Sequence, residues 1–314
     1  MSQAPITIIT PCYNENVIAI KFLETLEHTL SSLPYNFCVV VVNDCSTDDT
    51  LALLKRFSFI SRNLSLKIIN LKFNVGHQVA IYQGFLYASS LNGDHFIVMD
   101  SDGEDSPAAI PGLLACLDTD IVNVVRSNRR ESIFFRFCYR VYKIMFRLVT
   151  GKQMNFGNFC LISRQVMEHA VFTTFSHFAA FLSKQKCNTR YIVAPKEERL
   201  GGHSKMGYKK LFYHAIKSFI EYGENILMIF FKGGIFLALL LLICIGNAGY
   251  KKFVAHAAIP VWTGVVMMGL INLAVMCIGF FVLGLLLIHL YKRNPNSKIP
   301  IYELCTSGNT EEAV

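Results

Sequence analysis

The run FIVMDSDGEDSP, residues 96–107, decides how the rest of the chain is read. Its four apolar residues, 96–99, have the length and character of a strand buried on both faces, and they stop at Asp100, Asp102 and Asp105 with Glu104 among them. Carboxylates this close repel one another. At the carboxyl end of a strand in an open α/β sheet, where ligands bind, a divalent cation relieves that repulsion most simply. The same residues also spell an acidic turn before a helix, with Ser106 as N-cap and Pro107 at the first helical position. Asp-x-Asp alone does not choose between the two; the segments around it do.

Toward the N-terminus, residues 6–10 form a first strand that ends in Pro11-Cys12-Tyr13-Asn14-Glu15, and a helix runs from there to about 33. Residues 37–42 are an unbroken apolar strand. They end in Asn43-Asp44-Cys45-Ser46-Thr47-Asp48-Asp49-Thr50, rich in groups that cap the next helix, which reaches about 57. A third strand, 66–71, closes in Asn74-Val75-Gly76-His77-Gln78 before a helix to 90. With the strand at 96–99 this makes β-α-β-α-β-α-β, which predicts a parallel sheet with right-handed crossovers. Such a sheet brings Asn14-Glu15, Asp44 and Asp100-x-Asp102 to one edge.

Of the 314 residues, 53% are hydrophobic and only 17% charged, too apolar for a purely soluble protein of this length. The excess lies in two runs, 226–245 and 264–290, each meeting the roughly 20 residues that a bilayer core requires. Lys232, near the start of the first, can snorkel to the interface. Between the runs stand only Lys251 and Lys252, whereas Lys205, Lys209, Lys210 and Lys217 precede them and Lys292, Arg293 and Lys298 follow. The positive-inside rule therefore predicts a hairpin with both ends cytoplasmic. Residues 1–4 lead straight into a strand, so no signal peptide is read there. A net charge of +8, concentrated between 126 and 217 and beside the apolar runs, suits an anionic membrane face or a phosphorylated substrate; no nucleic-acid motif accompanies it. The ten cysteines include no Cys-x-x-Cys and read as small buried hydrophobes in a reducing compartment, not as a zinc or disulfide framework. The nine histidines read as packing or surface residues.

A fifth strand, 121–125, leads into Arg126-Ser127-Asn128-Arg129-Arg130. In IFFRFCYRVYKIMFRLV, residues 133–149, Arg136, Arg140, Lys143 and Arg147 share one helical face among aromatic and aliphatic residues. That pattern fits either a solvated surface helix or one lying in a headgroup layer, and the apolar runs downstream favour the second. The expected organisation is a catalytic α/β domain at 1–204, a juxtamembrane amphipathic helix at 205–225, a transmembrane hairpin at 226–290 and a loose cytoplasmic tail at 291–314.

The series Pro-x-Tyr-Asn-Glu, Asn-Asp-x-Ser-Thr-Asp-x-Thr, Asn-x-Gly-His-Gln and Asp-x-Asp-x-x-Asp-x-Pro resembles the family 2 glycosyltransferases of the GT-A fold. Within them it is most similar to the polyprenyl-phosphate glycosyltransferases, over residues 6–211. The resemblance implies a GT-A, Rossmann-like, mostly parallel sheet followed by interfacial helices and two transmembrane helices. It implies that Pro11, Tyr13, Glu15 and Asp44, with Gly76 and Asp100, bind a UDP- or GDP-linked sugar. Asp100, Asp102 and Glu104 would hold Mg2+ or Mn2+ against the donor diphosphate. The implied catalytic set is Asp102, Arg126 and Arg199. Arg129, with Ser204 and Lys205 of a loop resembling the family's Arg, Gly, Ser-Lys loop, would hold the acceptor phosphate.

The implied reaction is inverting transfer to polyprenyl phosphate on the cytoplasmic face of a bacterial inner membrane. A phosphate acceptor is already anionic near neutral pH and needs no strong base, which agrees with Asn158 standing where the family has an acid. Asn43, Cys45, Phe73 and Cys160 also depart from the family pattern. A saccharide or lipid-linked oligosaccharide acceptor is the second enzymatic reading, although processive synthases usually carry Gln-x-x-Arg-Trp and Trp262, the single tryptophan, lies beside an apolar run. A non-catalytic sugar-nucleotide-binding membrane protein is the third. The sequence leaves a homo-oligomer open.

Overall fold

The computed structural model of the chain describes residues 5–127, 133–153, 155–195, 197, 201, 208–292 and 299–305. Two units are distinguished: Met1–Val141, Gln153–Glu221 and Asn296–Val314 make up one, and Tyr142–Lys152 with Tyr222–Pro295 the other.

In the first unit, β1 (Ile6–Cys12), β2 (Phe37–Asn43), β3 (Leu64–Leu71) and β4 (His95–Val98) alternate with α1 (Asn16–Leu30), α2 (Thr50–Arg56) and α3 (His77–Ala88). All four strands run parallel, as the apolar runs predicted, with β2 and β4 on either side of β1 and β3 beyond β2. Every residue of β1 and β2 is buried. Alternation explains how: Cys38, Val40 and Val42 enter the core beneath α3, whereas Phe37, Val39 and Val41 enter the core beneath α1. The chain thus builds outward from β1 to β3 and then returns to the far side of β1. That reversal puts a topological switch point between the carboxyl ends of β1 and β4, where open α/β sheets bind ligands.

After β4, a 3-10 turn at Pro107–Ala109 opens α4 (Ile110–Leu114); Ser106 occupies the cap position but accepts no cap hydrogen bond. Then come β5 (Ile121–Ser127), α5 (Ile133–Thr150), β6 (Cys160–Ser163), α6 (Arg164–Thr173), α7 (Phe178–Lys184), β7 (Thr189–Pro195) and α8 (Tyr208–Ile220). The sheet order is β7-β5-β6-β4-β1-β2-β3-β8, so β5 does not continue the parallel series next to β4. Instead β6 lies between them, antiparallel to both. At the other edge, β8 (Tyr302–Cys305) pairs antiparallel with β3, in register from Leu71↔Tyr302 to Ile68↔Cys305.

This strand corrects the expectation of a loose tail. Ile301 accepts from Lys72 N at 3.0 Å. Gln83 clamps the approach, donating to Ile299 O at 3.3 Å and accepting from Ile301 N at 3.1 Å. Tyr302 meets Tyr87 edge-on at 5.9 Å. The physical reason is that β3 would otherwise present an open row of backbone groups.

The second unit is dominated by α9 (Gly223–Phe253) and α10 (Trp262–Lys292), two helices long and apolar enough to cross a membrane. α9 extends past the expected run at both ends, mostly at its C-terminal end, and α10 by two residues at each end. Phe231 stacks on Phe281 at 4.9 Å and Phe230 on Phe280 at 5.7 Å, and Leu227 sits where a side chain on Gly284 would go. Only 6% of each apolar window is buried by protein. Phe146, from the end of α5, is buried against Tyr222 in the same unit.

Candidate active site

The turn after β4 is held by its own backbone. Asp100 N donates to Asp105 Oδ2 at 3.1 Å and Glu104 N to Asp102 Oδ1 at 2.9 Å, with Gly103 in the left-handed region at φ 84. Arg126, reaching over from β5, donates through Nε and Nη2 to Asp105 Oδ1 at 3.2 and 2.6 Å. The same guanidinium lies 3.5 Å from Glu104 Oε2 and 3.8 Å from Asp100 Oδ2. The repulsion expected among these acids is therefore relieved in part by a cation of the chain itself.

Asp105 is 1% exposed. Burial, and then the charge of Asp100, push its carboxyl above the ordinary aspartate range, while Arg126 pulls it back. Burial opposes the Arg126 charge as well, but Asp105, Asp100 and Glu104 outweigh it and raise the pKa further. The two groups form a carboxylate–guanidinium pair, since arginine does not deprotonate in proteins.

The tips of β1 and β2 are latched to each other. Asn14, at φ 52, receives Thr47 N on its side-chain oxygen at 2.8 Å, and its own N–H donates to Ser46 Oγ at 2.9 Å. Cys45 also adopts a left-handed φ, 55, which is the physical reason a glycine suits that position. Glu15 is tied to the acid turn, for Ser101 Oγ lies against its carboxylate and against Pro11 O. Tyr13 is 40% exposed at the same edge.

Asp44 is buried, and its two oxygens accept from Val75 N at 2.8 Å and Gly76 N at 2.9 Å. Burial raises its pKa, with those two N–H groups opposing. Asp44 thus fixes the loop before α3, and Gly76, at φ 84, makes the turn that loop needs.

That loop carries His77, which the sequence reading set aside as a packing or surface residue. Its Nε2 lies 3.2 Å from Asp100 Oδ1 and 2.9 Å from Asn158 Nδ2. Partial desolvation opposes the charged ring, but Asp100, Asp102 and Glu15 together raise its pKa above the usual histidine value. Ser101 and His77 are site residues to which the sequence assigned no role, and Asp105, named there only as a member of the acid cluster, proves to be the partner of Arg126. Asp105 and His77 did have a signal: both are fixed members of quoted motifs, Asp-x-Asp-x-x-Asp and Asn-x-Gly-His-Gln. Arg129, Arg199, Ser204 and Lys205 lie outside the described residues.

The family profile described as glycosyl transferase family 2 matches residues 7–201. The chain belongs to glycosyl transferase family 2. As a member of that family it is a glycosyltransferase, and the resemblance drawn from the four strand tips is borne out. It is 23% identical over 290 residues to the uncharacterized glycosyltransferase YkcC of Bacillus subtilis, covering 88% of this chain and 87% of that one. It is 31% identical over 152 residues to the undecaprenyl-phosphate 4-deoxy-4-formamido-L-arabinose transferase of Pseudomonas savastanoi pv. phaseolicola, covering 48% of this chain and 44% of that one. Among solved structures, mannosyl-3-phosphoglycerate synthase from Rubrobacter xylanophilus superposes with a TM-score of 0.53 at 15% identity, over 71% of this chain and 74% of that one. Glucosyl-3-phosphoglycerate synthase from Mycobacterium tuberculosis, crystallised with Mn2+, UDP-glucose and phosphoglyceric acid, does so with a TM-score of 0.52 at 13% identity, over 71% and 79%. Both share the fold of this glycosyltransferase.

Proposed function

We propose that this glycosyltransferase moves a sugar from a UDP- or GDP-linked donor to a polyprenyl phosphate, with inversion and with the help of Mg2+ or Mn2+, at the cytoplasmic face of a bacterial inner membrane. One observation carries the reading: the acid turn after β4 meets Arg126 beside the switch point of a chain that also has two bilayer-length apolar helices.

The donor set fits the ion. Asp100 and Asp102 offer hard oxygen ligands, with Glu104 beside them. Among the described residues no group of three His, Cys, Asp or Glu side chains stands ready to hold a metal. Magnesium and manganese sites of this kind take one or two protein carboxylates and complete their shell from phosphates and water. Bound there, the cation supplies positive charge to a departing nucleoside diphosphate. That a fold relative was crystallised with Mn2+ and UDP-glucose supports the same choice.

The remaining roles belong to the chain. Pro11, Tyr13 and Glu15 frame the base and ribose, while Asp44 and Gly76 shape the loop that borders them. Arg126 keeps the acid turn in place and is, with Arg199, the group assigned to the donor phosphates. Arg129, Ser204 and Lys205 receive the acceptor phosphate, whose anionic oxygen attacks the anomeric carbon. Asn158 cannot take a proton, which suits an acceptor that needs no general base.

Membrane placement rests on three supports. The exposed Val141, Ile144, Met145 and Leu148 of α5 adjoin the exposed Arg140 and Arg147, a stripe suited to a headgroup layer. In α8 the exposed Tyr213, Ile216 and Ile220 accompany Lys217. Lys205, Lys209, Lys210 and Lys217 before α9 and Lys292, Arg293 and Lys298 at and after the end of α10, against only Lys251 and Lys252 between the apolar runs, support a hairpin with both ends cytoplasmic. The name of the Pseudomonas savastanoi relative supports the acceptor class.

The test is to incubate membranes carrying the protein and polyprenyl phosphate with a panel of radiolabelled UDP- and GDP-sugars and to count label in the lipid phase. One donor is expected to label it. No label from any donor, with transfer to an added saccharide instead, would overturn the acceptor.

A further inference from the structure

We propose that His77 is a positioning residue for the metal-binding carboxylate of Asp100, bridging it to Asn158 in the loop before β6. The proposal rests on the metal-site reading above and adds to it a side chain that the reading does not use.

The ring is delivered to Asp100 by a relay of named contacts. Asp44, at the tip of β2, takes the backbone N–H groups of Val75 and Gly76. The left-handed Gly76 then turns the chain so that His77 becomes the first residue of α3. From there Nε2 lies 3.2 Å from Asp100 Oδ1, with the histidine side chain 39% and the aspartate 26% exposed. This imidazole is a wall of the site, not a core filler.

On the other side, Arg126 Nη2 stands 3.8 Å from Asp100 Oδ2. One carboxylate oxygen thus faces an imidazole from α3 and the other a guanidinium from β5, the second at a distance of charge attraction and not of a hydrogen bond. Charged neighbours on both sides narrow the orientations open to the ligand before a cation arrives, which lowers the rotamer freedom lost on binding. Asn158 Nδ2 is 2.9 Å from the same ring nitrogen. A nitrogen that donates its proton to Asp100 cannot also accept from an amide N–H, so Asn158 turns its carbonyl oxygen to the ring and the single Nε2–H is shared between that oxygen and Asp100 Oδ1. The strand tip at 100 and the loop at 158 are then joined through one imidazole.

Outer partners of metal ligands typically contribute about 10–100-fold in affinity. The experiment titrates Mn2+ alone into the full-length protein in detergent and reads bound ion by EPR, with no sugar nucleotide present. His77→Ala is expected to raise the dissociation constant for Mn2+ at least about tenfold. His77→Gln, whose side chain still presents an N–H at similar reach, is expected to recover most of it, and Asn158→Ala to move affinity in the same direction as His77→Ala by a smaller factor. Wild-type affinity in His77→Ala, or an equal loss in the Ala and Gln variants, overturns the proposal. Failure of the wild type to bind Mn2+ both alone and with UDP or GDP added would instead overturn the metal site, and this proposal with it.

Discussion

In the sheet unit, most apolar side chains are hidden by the protein, and polar groups at the strand tips such as Asn14, Asp44 and Ser101 are hydrogen-bonded to neighbouring segments. In the hairpin unit, apolar side chains such as Leu242, Leu273 and Leu286 are more than half exposed, and few polar groups accompany them. Both patterns come from runs of apolar residues, but the runs differ in length and so in what can cover them. Four to eight residues of strand are covered by two layers of helix. Thirty-one residues of helix, apolar all round and roughly 46 Å long, exceed what a small unit can cover and call for lipid. The chemistry belongs to the first kind of surface and the anchorage to the second.

The largest effect expected from breaking that division is on turnover. Asp102→Ala should lower transfer by roughly 10^3-fold, as loss of a group that serves the transition-state charge does, with only a small fall in melting temperature because a single half-buried turn hydrogen bond is lost. Steady-state rates and thermal melts on the same preparation separate the two. Next in size is the protein-covered core. Phe85, fully buried between α3 and the sheet, should cost about 3–5 kcal/mol when changed to Ala, read by denaturant unfolding of the sheet unit.

The lipid-covered surface should respond to charge where the soluble one does not. Leu273→Arg, near the middle of α10, should cost about 3 kcal/mol of insertion and appear as protein extracted from membranes by carbonate. Ile60→Arg, on a 92% exposed site of the sheet unit, should change stability by less than about 0.5 kcal/mol.

How far the sequence carried these distinctions depends on range. Strands β1 to β4 were legible because each is a short apolar run ended by turn residues, and α9 and α10 because no other element tolerates such length. β8 was not, and β6 was visible only through the resemblance to a family strand around Asn158 and Cys160, both being four residues long and paired antiparallel through contacts set by distant segments. At the site, shared strand direction was enough to bring Glu15, Asp44 and Asp100 to one edge. It was not enough to show that Arg126 would neutralise the acids or that His77 would face Asp100, since those pairings depend on how separate elements approach. Cys45 lies between the two cases: its departure from glycine was visible, but its left-handed backbone was not. Cys45→Gly should relieve that strain and, after the added backbone entropy of glycine, stabilise the sheet unit by at most about 1 kcal/mol, a small rise in melting temperature.

The most direct measurement is lipid-phase labelling by wild-type membranes before and after EDTA, followed by return of Mg2+ or Mn2+. Label should fall to background with chelator and recover with the added cation, and the Asp102→Ala protein should stay at background throughout. Undiminished labelling in EDTA would contradict the assignment of Asp100 and Asp102 to a cation that serves the leaving diphosphate.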